Sequence, residues 1–368
     1  MKKIPFFDYP RLYLDRRQEF LDIFDQVASR GAFIMQKDMQ DFELSLASFT
    51  SSDYAVGVGN ATDGLEIAWM AIGLKPGDEV ICSSHTMLAT ASSIRIAGGT
   101  PVPVDIGHDG LIDPEAVSDA INSRTVGLMP TQLNGRTCNM DILMDLASRA
   151  KLYVVEDAAQ ALGSRFKGKH AGTFGNASAI SFFPAKLLGC FGDAGAVLTN
   201  SSSLFDKIYQ LHDHGRDRDG EVISWGRNSR LDNLQAAFLN YLLTDYSTVI
   251  ERRRVIASLY HSRLSPLDEL QLPPAPNSDL NHFDVYQNYE MQADKRDLLK
   301  IHLANNGIGT LIQWGGKGVH QWERLGFSTI LPNTEQFFER CIMLPMNIFL
   351  ADDDISYICD SIYSFYRS

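Results

Sequence analysis

The chain of 368 residues reads as an α/β protein, with a large domain built on a mostly parallel sheet flanked by helices and a smaller C-terminal α+β domain. Three observations predict this. Short apolar runs alternate with helix-period segments from residue 53 onward, the pattern of a parallel sheet covered on both faces. Near residue 240 the rhythm changes, and two helical segments lead into the proline-rich turn Leu272-Pro273-Pro274-Ala275-Pro276. The composition, 45% hydrophobic and 21% charged, is that of a soluble chain long enough to bury a large core.

In order, residues 1–50 read as an arm with helices over 16–28 and 37–49. A strand at 54–58 is followed by a turn and a helix over 63–72. Lys75-Pro76-Gly77-Asp78 is a turn by composition and introduces a strand at 79–82 and a helix over 87–97. Next come a strand at 101–104, a helix over 114–121, a strand at 125–129 and a helix over 140–150. The apolar runs 152–156 and 178–183 read as buried strands. Beyond them lie helices over 232–243 and 249–263, a strand-like segment at 285–292 and a helix over 295–305. The expected division is an arm and large domain over 1–249 and a small domain over 250–368, without internal repeats.

A formal net charge of −12 argues against non-specific binding to nucleic acid, which needs a basic face. An anionic small molecule needs only a local positive pocket. The five cysteines (Cys82, Cys138, Cys190, Cys341, Cys359) are spread without a CxxC pair, which favours reduced thiols over disulfides or a metal site. No stretch approaches a membrane span or the apolar core of a signal peptide, and a cytoplasmic location without membrane partners is expected.

Asp157 follows the run Leu152-Tyr153-Val154-Val155-Glu156, and Lys186 follows Ser178-Ala179-Ile180-Ser181-Phe182-Phe183. Groups at the carboxyl ends of parallel strands face the ligand crevice, so acid and amine can meet one ligand from two sides. Pyridoxal 5'-phosphate needs that pair, a lysine to carry it covalently and a carboxylate to keep its ring nitrogen protonated. Taken singly, each has a plainer reading: acids after strands also cap helices, and most lysines are solvated. Between strand and helix, Gly59-Asn60-Ala61-Thr62-Asp63-Gly64 reads either as a phosphate cradle at a helix N-terminus or as a turn capped by Thr62 or Asp63. It has neither the P-loop ending nor the GxGxxG pattern.

Five stretches in order resemble the DegT/DnrJ-type sugar aminotransferases, pyridoxal-phosphate enzymes of aspartate aminotransferase fold type I. They are Gly59-Asn60-Ala61-Thr62-Asp63, Pro76-Gly77-Asp78-Glu79-Val80-Ile81, Glu156-Asp157-Ala158-Ala159-Gln160-Ala161-Leu162-Gly163, Ser181-Phe182-Phe183-Pro184-Ala185-Lys186 and Asn228-Ser229-Arg230-Leu231-Asp232-Asn233-Leu234-Gln235-Ala236-Ala237. The resemblance runs from about residue 30 to beyond 310. It implies that Lys186 carries the cofactor, Asp157 pairs with its ring nitrogen and Gln160 lies near its 3-hydroxyl. Ala61, Thr62 and Ser181 would hold the phosphate, joined by Asn228 from a partner subunit in a homodimer with shared sites. A carboxylate beside a cation should have its pKa held down and the amine's held up, whereas proton transfer requires a lysine amine lowered by the nearby cofactor and limited solvation.

Two departures from the family stand out. Met87 occupies the place of an aromatic residue over the cofactor ring, with His85 as an alternative neighbour or a hydrogen-bonded loop residue. Gln36 replaces a common glycine, either shaping substrate specificity or forming a solvated turn. The implied reaction moves an amino group from L-glutamate to a keto-deoxy sugar nucleotide, first a thymidine- or uridine-linked 4-keto-6-deoxyhexose and next a 3-keto isomer. Its product would serve a surface polysaccharide such as the O-antigen. A dianionic nucleotide needs cations; Lys37, Arg227, Arg230 and Lys317 are candidates, with Trp314 and His320 beside the last. The alternatives are a sugar dehydratase, which in this family has histidine in place of Lys186, and a non-catalytic regulator.

Overall fold

Seven strands form one sheet in the order β1-β9-β8-β5-β4-β2-β3 in the computed structural model, which describes residues 2–367. The outermost residue of each expected domain, Met1 and Ser368, lies outside the described residues. The strands come in chain order as β1 (Tyr54–Val58), β2 (Glu79–Ser83), β3 (Thr100–Val104), β4 (Thr125–Met129) and β5 (Tyr153–Asp157). The short β6 (Arg165–Phe166) and β7 (Lys169–His170) form a hairpin apart from the sheet, and β8 (Ala177–Ser181) and β9 (Gly195–Thr199) complete it. Strands β3, β2, β4, β5 and β8 pair in parallel, while β9 is antiparallel to both β8 and β1. The sheet is therefore mostly parallel, as predicted.

Strand β9 was not foreseen. Its run Gly195-Ala196-Val197-Leu198-Thr199 has the composition of a buried strand, and it runs backwards because no helix intervenes after β8 to carry the chain across.

Three helices precede the sheet: α1 (Tyr9–Asp15), α2 (Arg17–Ser29) and α3 (Lys37–Thr50). Then α4 (Ala61–Ile72), α5 (Leu88–Ile96), α6 (Pro114–Ala120), α7 (Met140–Ala150) and α8 (Ser202–His212) alternate with strands. Asn60 caps α4, its side chain accepting the Asp63 N–H at 2.9 Å, and Gly73 ends the helix with φ 93°, a left-handed conformation that costs glycine little. Helix α4 buries Leu65, Ile67, Ala68, Trp69 and Ala71 against the sheet, which fixes where its N-terminus points.

Helix α9 (Asn233–Leu243) leads to α10 (Tyr246–Leu264), which crosses the expected boundary at 249/250. Its Tyr246 and Ile250 join the large-domain core, and Ile256, Ala257, Tyr260 and Leu264 join the C-terminal one. The latter holds a three-stranded antiparallel sheet of β10 (Leu270–Gln271), β12 (Tyr289–Ala293) and β13 (Cys341–Leu344), while β11 (His282–Phe283) pairs with β6. Helices α11 (Arg296–Asn305), α12 (Pro332–Arg340) and α13 (Asp352–Arg367) belong to this region. Ile4 packs there too and bridges to Ile308, so the N-terminal segment is part of the C-terminal core.

The strand expected over 285–292 is only partly formed. Tyr286 has φ 53°, and Arg253 Nη1 donates to the carbonyls of Tyr286 and Gln287 at 3.3 and 3.0 Å, so the ladder starts only at Tyr289.

Candidate active site

The carboxyl ends of β1, β2, β4, β5 and β8 open onto one cleft of about 440 Å³. Beyond β1 stand Asn60, Ala61 and Thr62; beyond β2, Thr86 and Met87; beyond β4, Thr131 and Leu133. Asp157 ends β5 with Gln160 just after it, and Ser181 ends β8 with Lys186 in the following turn. Trp314, Leu311 and Met343 approach from the C-terminal region. The sequence-predicted Asp157 and Lys186 thus face one cavity.

Adjacent acids on β5 part company because successive side chains leave a strand on opposite faces. Glu156 is fully buried and accepts from Gln132 Nε2 and from the N–H groups of Gly172, Phe174 and Gly175 at 2.7–2.9 Å, which fastens the 172–175 loop. Asp157 turns to the cleft. Its Oδ2 accepts the Thr90 hydroxyl at 2.6 Å, and its Oδ1 accepts the Ala159 N–H at 3.2 Å. Burial pushes the Asp157 carboxyl above its usual range, against those two hydrogen bonds and the charge of Lys186. Burial likewise brings the Lys186 amine down to about 8, with Asp157 pulling the other way. The expectation that mutual attraction lowers the acid and raises the amine is corrected: desolvation outweighs it for both.

At the other end of the cleft, Ala61 and Thr62 are the first two residues of α4, whose N–H groups have no intrahelical acceptor. A Cβ on Gly195 would lie 2.6 Å from the Ala61 nitrogen, so only glycine lets β9 pass this close. Ser181 Oγ accepts the Phe183 N–H at 3.3 Å, which leaves its own proton free to donate. Free amides at a helix N-terminus, hydroxyls, an acid and a lysine fit the phosphate, ring nitrogen and carbonyl of pyridoxal phosphate.

Gln160 shows how its amide is turned. Its Oε1 accepts from the Asn134 N–H at 2.9 Å and from Asn288 Nδ2 at 3.3 Å, so the NH₂ group is what it offers to a ligand. Behind it lies a network that sequence reasoning missed. Asn288 Nδ2 and Gln313 Nε2 donate to Asn134 Oδ1, and Asn134 Nδ2 and Gln313 Nε2 donate to Glu290 Oε2. Burial opposes the Glu290 charge, yet His85 at 3.4 Å and these amides hold its carboxyl below the usual range.

The remaining predicted residues divide. Met87 lines the cleft, half exposed, with its Sδ accepting the Ala89 N–H at 3.0 Å, and Trp314 lines it as well. His85 does not line it: buried among Trp314, Phe337 and Phe338, it bonds the Gly110 carbonyl at 2.8 Å. Gln36 is exposed outside this chain's cleft, an extended residue just before α3 whose side chain donates to the Ile34 carbonyl at 3.2 Å. His320 is buried between Ser84 at 2.6 Å and Glu335 at 3.1 Å. Lys317 is exposed over the Trp322 ring. Lys37 pairs with Asp41, Arg227 with Glu66 and Arg230 with Asp213. Asn228 is exposed beside Ser229, whose hydroxyl accepts the Gly59 N–H at 3.0 Å. Among the described residues, Lys186 is therefore the one cation lining this chain's own cleft.

Residues 15–363 match the DegT/DnrJ/EryC1/StrS aminotransferase family. The dTDP-3-amino-3,4,6-trideoxy-alpha-D-glucose transaminase of Streptomyces venezuelae is 37% identical over 85% of this chain and 82% of its own. The UDP-2-acetamido-2-deoxy-3-oxo-D-glucuronate aminotransferase of Pseudomonas aeruginosa is 34% identical over 91% of this chain and 92% of its own. The solved structure of S. venezuelae DesV superposes with a TM-score of 0.95 at 34% identity, covering 100% of both chains. From its cleft, its fold and these relatives, the chain belongs to the DegT/DnrJ/EryC1/StrS family and is a pyridoxal-phosphate-dependent aminotransferase.

Proposed function

We propose that the enzyme transfers an amino group from L-glutamate to the keto carbon at C3 of a sugar linked to thymidine or uridine diphosphate. The observation that carries the chemistry is Lys186 and Asp157 facing one cleft whose far end is the N-terminus of α4. The choice of C3 over the C4 ketone ranked first from sequence rests on the two relatives, whose names place the amino or oxo group at C3. When bound, the cofactor supplies the electron sink and the carbonyl that carries the amino group. Ala61, Thr62 and Ser181 hold its phosphate, Gln160 donates to its ring oxygen, and Met87 packs on its face. Asp157 keeps the proton on the ring nitrogen. Lys186 Nζ, with its amine brought down to about 8, takes and returns a proton where a fully charged ammonium would be idle.

A nucleoside diphosphate brings two negative charges to a cleft that, among the described residues, has a single cation of its own. The segment around Arg227, Asn228 and Arg230 of a second copy is the proposed source of the rest, in a homodimer with shared sites. Five free, buried cysteines are in keeping with a reducing cytoplasm.

The test is a panel of 3-keto and 4-keto thymidine- and uridine-linked sugars, each incubated with glutamate, reading 2-oxoglutarate release. Turnover on a 3-keto member with little on its 4-keto isomer is expected. Preference for the 4-keto sugar would overturn the assignment of C3, and cofactor that glutamate never converts to its amino form would exclude glutamate as the donor.

A further inference from the structure

Three threonine hydroxyls lead to Asp157 in single file. Thr131 Oγ1 donates to Thr86 Oγ1 at 2.9 Å, Thr86 Oγ1 lies 2.6 Å from Thr90 Oγ1, and Thr90 Oγ1 donates to Asp157 Oδ2 at 2.6 Å. They come from three places: Thr131 beyond β4, Thr86 beyond β2, and Thr90 in the first turn of α5. All are buried, at 5%, 1% and 0% exposure.

Each hydroxyl has one proton to give, and that arithmetic sets the direction of the chain. An ionised carboxylate only accepts, so the Thr90 proton points at Asp157. The Thr86 proton must then point at Thr90, and that of Thr131 at Thr86. Every bond in such a series polarises the next, and all three dipoles converge on the acid. A protonated Asp157 would instead compete to donate to Thr90 and work against this order. The file also occupies Oδ2, and the Ala159 N–H takes a position on Oδ1, which limits how the carboxylate can rotate.

Given the pyridoxal-phosphate site described above, we infer that Thr90, backed by Thr86 and Thr131, is a positioning residue that keeps Asp157 ionised and oriented so that the cofactor's ring nitrogen retains its proton. Thr86 and Thr131 line the cleft, but in this role the hydroxyls act through the acid. Without them the proton on the axis between acid and ring is drawn toward the carboxylate, and the ring becomes a poorer electron sink.

The test uses enzyme reconstituted with pyridoxal phosphate labelled with ¹⁵N in the ring, whose resonance reports protonation directly. Wild type is expected to show a protonated ring nitrogen. Thr90→Val, which keeps the shape and removes the hydroxyl, should move the resonance toward the unprotonated position, and Thr90→Ser should restore it. Turnover should fall roughly tenfold in Thr90→Val with little change in KM for glutamate, the size of one charge-assisted hydrogen bond (about 1.4 kcal/mol). Thr131→Val, at the far end of the file, should give a smaller shift in the same direction, and it keeps the test decisive if Thr90→Val folds poorly. A resonance unchanged in both valine variants overturns the inference while leaving the cofactor assignment intact. A wild-type protein that binds no cofactor would instead count against the site itself.

Discussion

At the scale of single residues, Lys186 and Asp157 were legible because each follows an apolar strand in a fold whose strand ends gather at one edge. What sequence did not reveal was how burial ranks against attraction. The pair reads on paper as two charges stabilising one another, but in the folded chain desolvation dominates both. Lys186→Ala is expected to abolish transamination while the cofactor still binds through its phosphate, since Thr62, Ser181 and Asp157 are untouched. Parallel measurements of turnover and of cofactor titration check this, and activity within about tenfold of wild type (~1.4 kcal/mol in barrier) would refute the assignment of Lys186. The surface cations were the least legible. Lys37, Arg227, Arg230 and Lys317 look alike in sequence, and only the fold reveals their partners in Asp41, Glu66, Asp213 and the Trp322 ring. Thr86 and Thr90 lie four residues apart across the start of α5, but only the fold brings Thr131 from another strand end to join them.

At the scale of elements, the parallel strands were readable as apolar runs, and their ends shifted by only a residue or two. The antiparallel β9 and the short C-terminal pieces were not, since a five-residue run does not encode its direction and β13 owes its place to pairing with β12. One contact between elements carries a pH dependence. Glu43 on α3 accepts the Gly57 N–H of β1 at 2.7 Å, and burial raises its carboxyl from 4.5 to about 7 against that hydrogen bond. Folding therefore takes up a proton between those values. The stability this supplies is complete below 4.5 and is lost as pH rises through 7. Glu43→Gln keeps a carbonyl for Gly57 and removes the titration. The difference in unfolding free energy between variant and wild type should grow in the variant's favour by on the order of 2 kcal/mol between about pH 5 and about pH 8. Urea denaturation at the two pH values measures it, and a difference that does not change with pH would mean Glu43 is solvated and ionised throughout.

At the scale of the whole molecule, two properties follow from how the chain is threaded. The first concerns assembly. If Asn228 serves the neighbouring cleft, mixing Lys186→Ala with Asn228→Asp, which sets a negative charge against the phosphate, should regenerate one intact site per mixed dimer. Activity above either parent after subunit exchange is expected, and proven exchange without recovery would place Asn228 in its own chain's site. The change of rhythm near residue 240 marked where the chain passes toward the C-terminal core. The shared use of α10 was not legible, because a helix amphipathic toward two cores has the same composition as one facing a single core. The second property lies in Ile4, which packs with Ile256, Leu303 and Ile358 and bridges to Ile308. On the ribosome, this apolar segment emerges long before the residues that will cover it. The sheet can form and cradle α4 while Ile4 still waits in solvent, and the core that holds Ile4 closes only after Ile362 has been made. Shielding of the segment around Ile4, rather than of the sheet, is thus what must last longest during synthesis.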